Sequence, residues 1–130
     1  TIGIMICADG FAPSQAISRT LGLMGAQIIL SPCAWAVSPD HDNERKPYGQ
    51  LWLDNYGPVA HDYKLWIVGT SHVGVISQGE WSGHHCIGCS LVMSPTGEPA
   101  VRGPYGGDAA ELLFVEIELK SPPFRGDGCV

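Results

Sequence analysis

Positive charge is scarce in this sequence: 7 Lys and Arg stand against 13 Asp and Glu in 130 residues, for a formal net charge of −6 at pH 7. The basic residues, Arg19, Arg45, Lys46, Lys64, Arg102, Lys120 and Arg125, are scattered along the chain. No basic stripe therefore exists to track a phosphate backbone, and nucleic acid is not an expected partner. Long apolar runs are missing as well. None approaches the roughly 18 residues that span a bilayer, and no basic segment leads into an apolar one in the manner of a signal peptide, so no membrane partner is expected either. Cysteine is sparse and odd in number, at positions 7, 33, 86, 89 and 129, which lacks the dense, even pattern of a small disulfide scaffold and points to a reducing cytoplasm. Internal repeats and low-complexity tracts are absent.

What the sequence does hold is 45% hydrophobic residues in a length suited to one domain, which would bury roughly two-thirds of its extended-chain surface. Residues 2 to 7 (IGIMIC) read as a buried strand. Pro13 suits the start of a helix whose apolar face is Ile17, Thr20, Leu21 and Met24 at helical spacing, and Gly25 ends it. Residues 27 to 31 (QIILS) form a second strand stopped by Pro32, so the three pieces make a parallel βαβ unit. "VSPDHDNERKPY" reads as a polar surface loop. A second helix is expected through Trp52, Tyr56, Val59, Ala60 and Tyr63, kinked or split at Gly57-Pro58. "LWIVGTSHVGV", "CIGCSLVMS" and "ELLFVEIEL" are strand-like, and "SPTG" is a hairpin turn between extended stretches. In the last of these strands Leu113, Val115, Ile117 and Leu119 share one face. The tail "KSPPFRGDGCV" reads as unstructured or held against another chain.

Chemistry concentrates at Cys7. It ends a strand shortly before a helix, where a side chain stands over the sheet edge near backbone N–H groups. A free thiol with a pKa of about 8.5 is only a few per cent thiolate at neutral pH and needs a base or a positive charge beside it to act as a nucleophile. The plain alternative is a buried structural cysteine, the commonest fate of the residue. A second constellation, "HHCIGC" at residues 84 to 89, has the Cys-x-x-Cys spacing of zinc and redox motifs. No second ligand pair accompanies it, and a strand running from Ile87 to Leu91 would send Cys86 and Cys89 to opposite faces. Strand packing, with His84 and His85 in a preceding loop, accounts for it without a metal. His72 in "TSHVG" reads as a structural histidine in preference to a pocket residue.

The order of residues around Cys7 carries more than its position does. "GIMICADGFAPSQAISRTLGLMGAQIILSPCAW" resembles the signature of the nitrilase superfamily, the carbon–nitrogen hydrolases. The matching positions are Ile6, Cys7, Asp9, Pro13, Arg19, Leu21, Gly25, Ala26 and Pro32, and the likeness continues through "WIVGTSHVG" and "GCSLVMSPTGEPAV" to "LLFVEIEL". The resemblance implies an α/β fold, part of a four-layer αββα sandwich, and a Glu-Lys-Cys triad. In that triad Glu is the general base, Lys stabilises the tetrahedral intermediate, and Cys attacks an amide or nitrile carbon to give a thioester or thioimidate. It implies no metal or organic cofactor, a small-molecule amide or nitrile substrate, and a homo-oligomer.

Cys7 is the nucleophile on this resemblance. The Ala8 backbone N–H is a candidate oxyanion donor, although many members carry a larger residue there, and Trp35 is a candidate pocket wall. In the family both Glu and Lys precede the Cys, and nothing among residues 1 to 6 fills either role. Residues 1–130 are therefore expected to be the C-terminal portion of one carbon–nitrogen hydrolase domain with its N-terminal strands absent, and inactive in isolation. The competing class is a non-catalytic metal-binding or structural module built on the Cys86/Cys89 segment.

Overall fold

The computed structural model describes residues 1–119. Strands β1 (Ile2–Ile4), β2 (Ile28–Cys33), β4 (Trp66–Ser71), β7 (Leu91–Met93) and β8 (Pro99–Arg102) form one five-stranded sheet in the order β1-β2-β4-β7-β8. The first three run parallel and the last two antiparallel. Helices α1 (Ala16–Leu23) and α2 (Gln50–Tyr63) are the crossovers between the parallel strands. A smaller antiparallel sheet, ordered β3-β6-β5, is built from β3 (Ala36–Val37), β5 (Val73–Val75) and β6 (His85–Ile87). The expected βαβ unit is present as β1-α1-β2, and α2 adds a second such unit between β2 and β4. Among the described residues no helix is long and apolar enough to cross a membrane.

Alternation along the strands decides the core. Met5, Ile29, Ser31 and Ile67 are buried toward the helices, where they meet Trp52, Tyr56, Val59 and Ala60 of α2. The Tyr56 hydroxyl and Ser31 Oγ share a hydrogen bond of 2.8 Å, which satisfies both polar groups inside this core. The opposite sheet face shows Ile2, Ile4 and Leu30, at 62%, 64% and 37% exposure. Parallel strands are ordinarily apolar on both faces because both are covered. Among the described residues the second face stands bare at β1.

Several elements depart from the sequence reading for identifiable reasons. The first strand stops at Ile4 and Cys7 opens a 3-10 turn, Cys7–Phe11. Pro13 begins a second short turn, Pro13–Gln15, and the α-helix starts only at Ala16, after Ser14 and Gln15 adopt left-handed backbone at φ 57° and 53°. The buried face of α1 is Ser18 and Gly22, with Leu21 partly buried, while Ile17, Leu23 and Met24 are exposed. Gly22 causes this rotation. A Cβ there would lie 2.6 Å from Cγ of Tyr63, so α1 sits flat on that ring, and Arg19 pairs with Asp62 at 3.0 Å to fix the two helices further.

Pro32 does not end β2, which continues to Cys33 with Pro32 opposite Thr70. The Met5 N–H donates to the Leu30 carbonyl, so Pro32, two residues on, also turns its backbone toward the β1 side. β1 has already ended there, and no ladder bond needs the missing N–H. The Gly57-Pro58 pair likewise leaves α2 as one 14-residue helix. "SPTG" is the β7–β8 turn as expected, closed by the Ser94 N–H on the Glu98 carbonyl and the Gly97 N–H on Ser94. Residues 109–119 form no strand; Leu113, Val115 and Ile117 are half-buried while Leu112 and Phe114 are exposed, so the expected alternation survives without the ladder up to Ile117, but Leu119, expected on the same face, is exposed. The expectation for the tail, residues 121–130, lies outside the described residues.

Candidate active site

The chain turns sharply between β1 and α1. Ile6 is extended at φ −120°, ψ 119°, and Cys7 then takes a positive φ of 44°, a left-handed conformation that costs a non-glycine residue about 1–3 kcal/mol. Asp9 pays for the turn: one of its carboxylate oxygens accepts the Ile6 N–H at 2.8 Å, while its own N–H donates to the Ile6 carbonyl at 2.9 Å. Gly10 seats the turn on α2, since a Cβ at that position would lie 3.0 Å from the Tyr56 ring and 3.6 Å from Trp52. Phe11 then packs on Trp52 with ring centroids 4.0 Å apart. The outcome is a half-buried free thiol held at the head of a one-turn helix. The Ala8 N–H has no acceptor among the described residues.

That thiol opens on a cleft of about 590 Å³, lined by Cys7, Ala8 and Phe11 on one side and by Trp35, Tyr48 and Trp52 beneath. Trp35 is 2% exposed and stacks on Trp52 at 3.9 Å, so it is both a core aromatic and a cleft wall. The indole N–H groups of Trp35 and Trp52 are buried without a hydrogen bond. The Cys33 thiol and the Tyr48 hydroxyl lie near them, yet neither contact closes with hydrogen-bond geometry. Burial pushes the Tyr48 hydroxyl above its ordinary value, and neighbouring thiols, Cys7 among them, add to the rise. The far wall is the β5–β6 hairpin, which contributes Ile76, Gln78, Glu80 and Trp81.

Cys7, Ala8 and Trp35 therefore come together in one cleft. The other thiols do not join them at its surface. Cys33 is buried, donates to the Ser31 carbonyl at 3.0 Å, and is raised by burial. Cys86 and Cys89 are likewise raised by burial. They do not share a strand: Gly88 and Cys89 take positive φ of 66° and 56° and divide β6 from β7, which belong to different sheets. His85 begins β6 and so is not in a loop. His72 is exposed. Among the described residues no three His, Cys, Asp or Glu side chains are placed to hold a metal ion. Of the described lysines, Lys46 is exposed and Lys64 caps the C-terminus of α2, and neither lines the Cys7 cleft. Sequence reasoning missed Tyr48, Trp52 and Glu80 as cleft residues. Trp52 lies on α2 and Tyr48 in the loop before it, so the crossing of α2 over the sheet brings them to Cys7, whereas Glu80 comes in on the β5–β6 hairpin.

No family model matches the sequence, and no curated protein does. Solved structures do. A carbon–nitrogen hydrolase from Helicobacter pylori G27 superposes with a TM-score of 0.67 at 27% identity, over 80% of this chain and 36% of that one. A mutant of the Nesterenkonia AN1 amidase from the nitrilase superfamily gives a TM-score of 0.56 at 21% identity, over 81% and 35%. A further form of that amidase, with the acetamide moiety of fluoroacetamide added covalently at its active-site cysteine, matches equally at 0.56 and 21%, over 81% and 34%. The chain thus has the fold of part of a nitrilase-superfamily carbon–nitrogen hydrolase, and it spans about a third of the length of the structures it matches.

Proposed function

We propose that this chain is the nucleophile-bearing, C-terminal portion of a carbon–nitrogen hydrolase domain that cleaves small amides or nitriles through Cys7. The observation that carries the reading is the strained, Asp9-braced turn that presents the Cys7 thiol to an aromatic cleft, beside an Ala8 N–H that no described residue engages. A cysteine held on such a turn is the arrangement a nucleophile requires.

With an amide, the Cys7 thiolate adds to the carbonyl carbon and the oxygen becomes an oxyanion, stabilised by the Ala8 N–H and by a lysine from elsewhere in the domain. Collapse breaks the C–N bond, the leaving nitrogen takes a proton from the general acid, and a thioester remains. Water then adds with its proton going to the same carboxylate, and the acid and the thiolate are released. A nitrile enters the same sequence through a thioimidate. The glutamate and lysine of this scheme belong to segments outside residues 1–119, as the family resemblance implies. The bare Ile2, Ile4 and Leu30 face supports the same division, because it offers an apolar surface for a second sheet. Free thiols at Cys7, Cys33, Cys86 and Cys89 support a reducing cytoplasm. The partners in this reading are the small-molecule substrate and further copies of the chain, with no nucleic acid, membrane or cofactor.

Ammonia release tests the proposal. The protein as its gene encodes it, assayed on a panel of short aliphatic amides and nitriles, is expected to turn over at least one of them, and Cys7→Ala is expected to lose that activity. Residues 1–130 alone are expected to release none. Turnover by the isolated chain would place a base and a positive charge within it.

A further inference from the structure

Among the described residues lining the Cys7 cleft, Glu80 is the one charged side chain. Its backbone is held in place, while its side chain is exposed. The β5–β6 hairpin is closed by the Ile76 N–H on the His84 carbonyl at 2.9 Å and the Gly83 N–H on the Ile76 carbonyl at 2.8 Å. At its tip the Ser82 N–H donates to the Gly79 carbonyl at 3.1 Å, a turn that sets Glu80 and Trp81 at its two central positions. The Ser82 hydroxyl ties the turn to the Ser77 carbonyl, and the Trp81 ring rests on His84 at 5.0 Å. Among the described residues Glu80 has neither a hydrogen-bond nor an ion-pair partner. The cleft it lines is otherwise largely aromatic: Trp81 follows it in the turn and is exposed, Tyr48 is half-buried, and the buried Trp35 and Trp52 complete the lining.

A carboxylate in an aromatic-lined cleft, with no cationic side chain among the described lining residues, attracts positive charge, and an exposed ring such as Trp81 attracts the same sign. An anionic group beside Glu80 would be repelled by its carboxylate. We propose that Glu80 is a specificity-determining residue and that the substrate class is a small amide or nitrile bearing a cationic nitrogen at the end remote from the scissile bond. This inference rests on the reading of Cys7 as the nucleophile.

Haloacetamide labelling of the protein as its gene encodes it separates the two. In this reaction the Cys7 thiolate forms an S–C bond as the carbon–halogen bond breaks and halide leaves, so no other catalytic group is needed. Three reagents of matched length are compared, one ending in trimethylammonium, one neutral and one ending in carboxylate. The rate at Cys7 is read by peptide mass mapping. The cationic reagent is expected to label about two- to five-fold faster than the neutral one, the range of an exposed charge pair, and the anionic one more slowly. The preference is expected to vanish in Glu80→Gln, to invert in Glu80→Lys, and to weaken with salt. Selective labelling of Cys7 with no charge preference, or a preference that Glu80→Gln leaves intact, overturns this inference alone. Labelling that favours Cys33, Cys86 or Cys89 overturns the underlying assignment of Cys7 and this inference with it.

Discussion

The indoles of Trp35 and Trp52 stack with centroids 3.9 Å apart and 21° between their planes, joining the end of β2 to α2 directly beneath Cys7. Trp52 also carries Phe11 and faces Gly10, so the turn that holds the thiol is built on this pair. Trp52→Ala should cost about 3–5 kcal/mol of stability, read as a shift in the urea midpoint. It should also slow alkylation of Cys7 by short haloacetamides relative to a free thiol, because the turn loses its seat.

Among Cys7, Cys33, Cys86 and Cys89, alkylation at substoichiometric reagent should fall first on Cys7. Burial raises the pKa of Cys33, Cys86 and Cys89, which lowers their thiolate fraction at neutral pH, and Cys33 and Cys86 are also sterically shielded. Peptide mapping after a short pulse reads the order directly, and Cys86 or Cys89 labelling ahead of Cys7 would count against the site.

Stability should decline on the alkaline side. Burial holds the Tyr56 hydroxyl well above its ordinary value, so below about pH 10 both folded and unfolded chains keep this proton and the group has no effect on the slope. Above that value the unfolded chain releases a proton that the folded chain retains, and stability falls by up to about 1.4 kcal/mol per pH unit. Tyr48 and the raised thiols act with the same sign. Tyr56→Phe should therefore flatten the loss measured between about pH 10 and pH 11. It should also cost about 1–3 kcal/mol at neutral pH, by leaving Ser31 Oγ without its 2.8 Å partner.

Gly22→Ala inserts a methyl 2.6 Å from the Tyr63 ring. Helix propensity alone favours alanine by about 1 kcal/mol, whereas overpacking costs about 1–3 kcal/mol. Destabilisation is the expected net result, with Gly22→Ala in a Tyr63→Ala background recovering part of it. A gain in urea midpoint for the single variant would show that α1 is free to shift away.

Strands β1, β2 and β4 and the Cys7 cluster were legible because local patterns carried them. Short apolar runs marked β1, β2 and β4, and residue order around Cys7 marked the turn. The helix faces were not. Hydropathy pointed to Ile17 and Met24, but the close approach of Gly22 to Tyr63, a contact made 41 positions away in sequence, turned α1 by its small residue instead. Pro32 and Pro58 misled for a related reason. A proline interrupts an element only where its missing N–H is needed, and neighbouring strands and turns settle that. Glu80 was invisible as a site residue because an acidic side chain in a polar loop looks the same whether it faces solvent or a cleft.

In the proposed mechanism Cys7 attacks the substrate carbon. Intact-mass analysis of the full gene product, acid-quenched within seconds of mixing with an amide it hydrolyses, tests this most directly. The account predicts a transient adduct of the acyl mass, mapped to Cys7, and neither adduct nor ammonia release in Cys7→Ala. Undiminished turnover by Cys7→Ala, or an acyl adduct mapped to another residue, would contradict it.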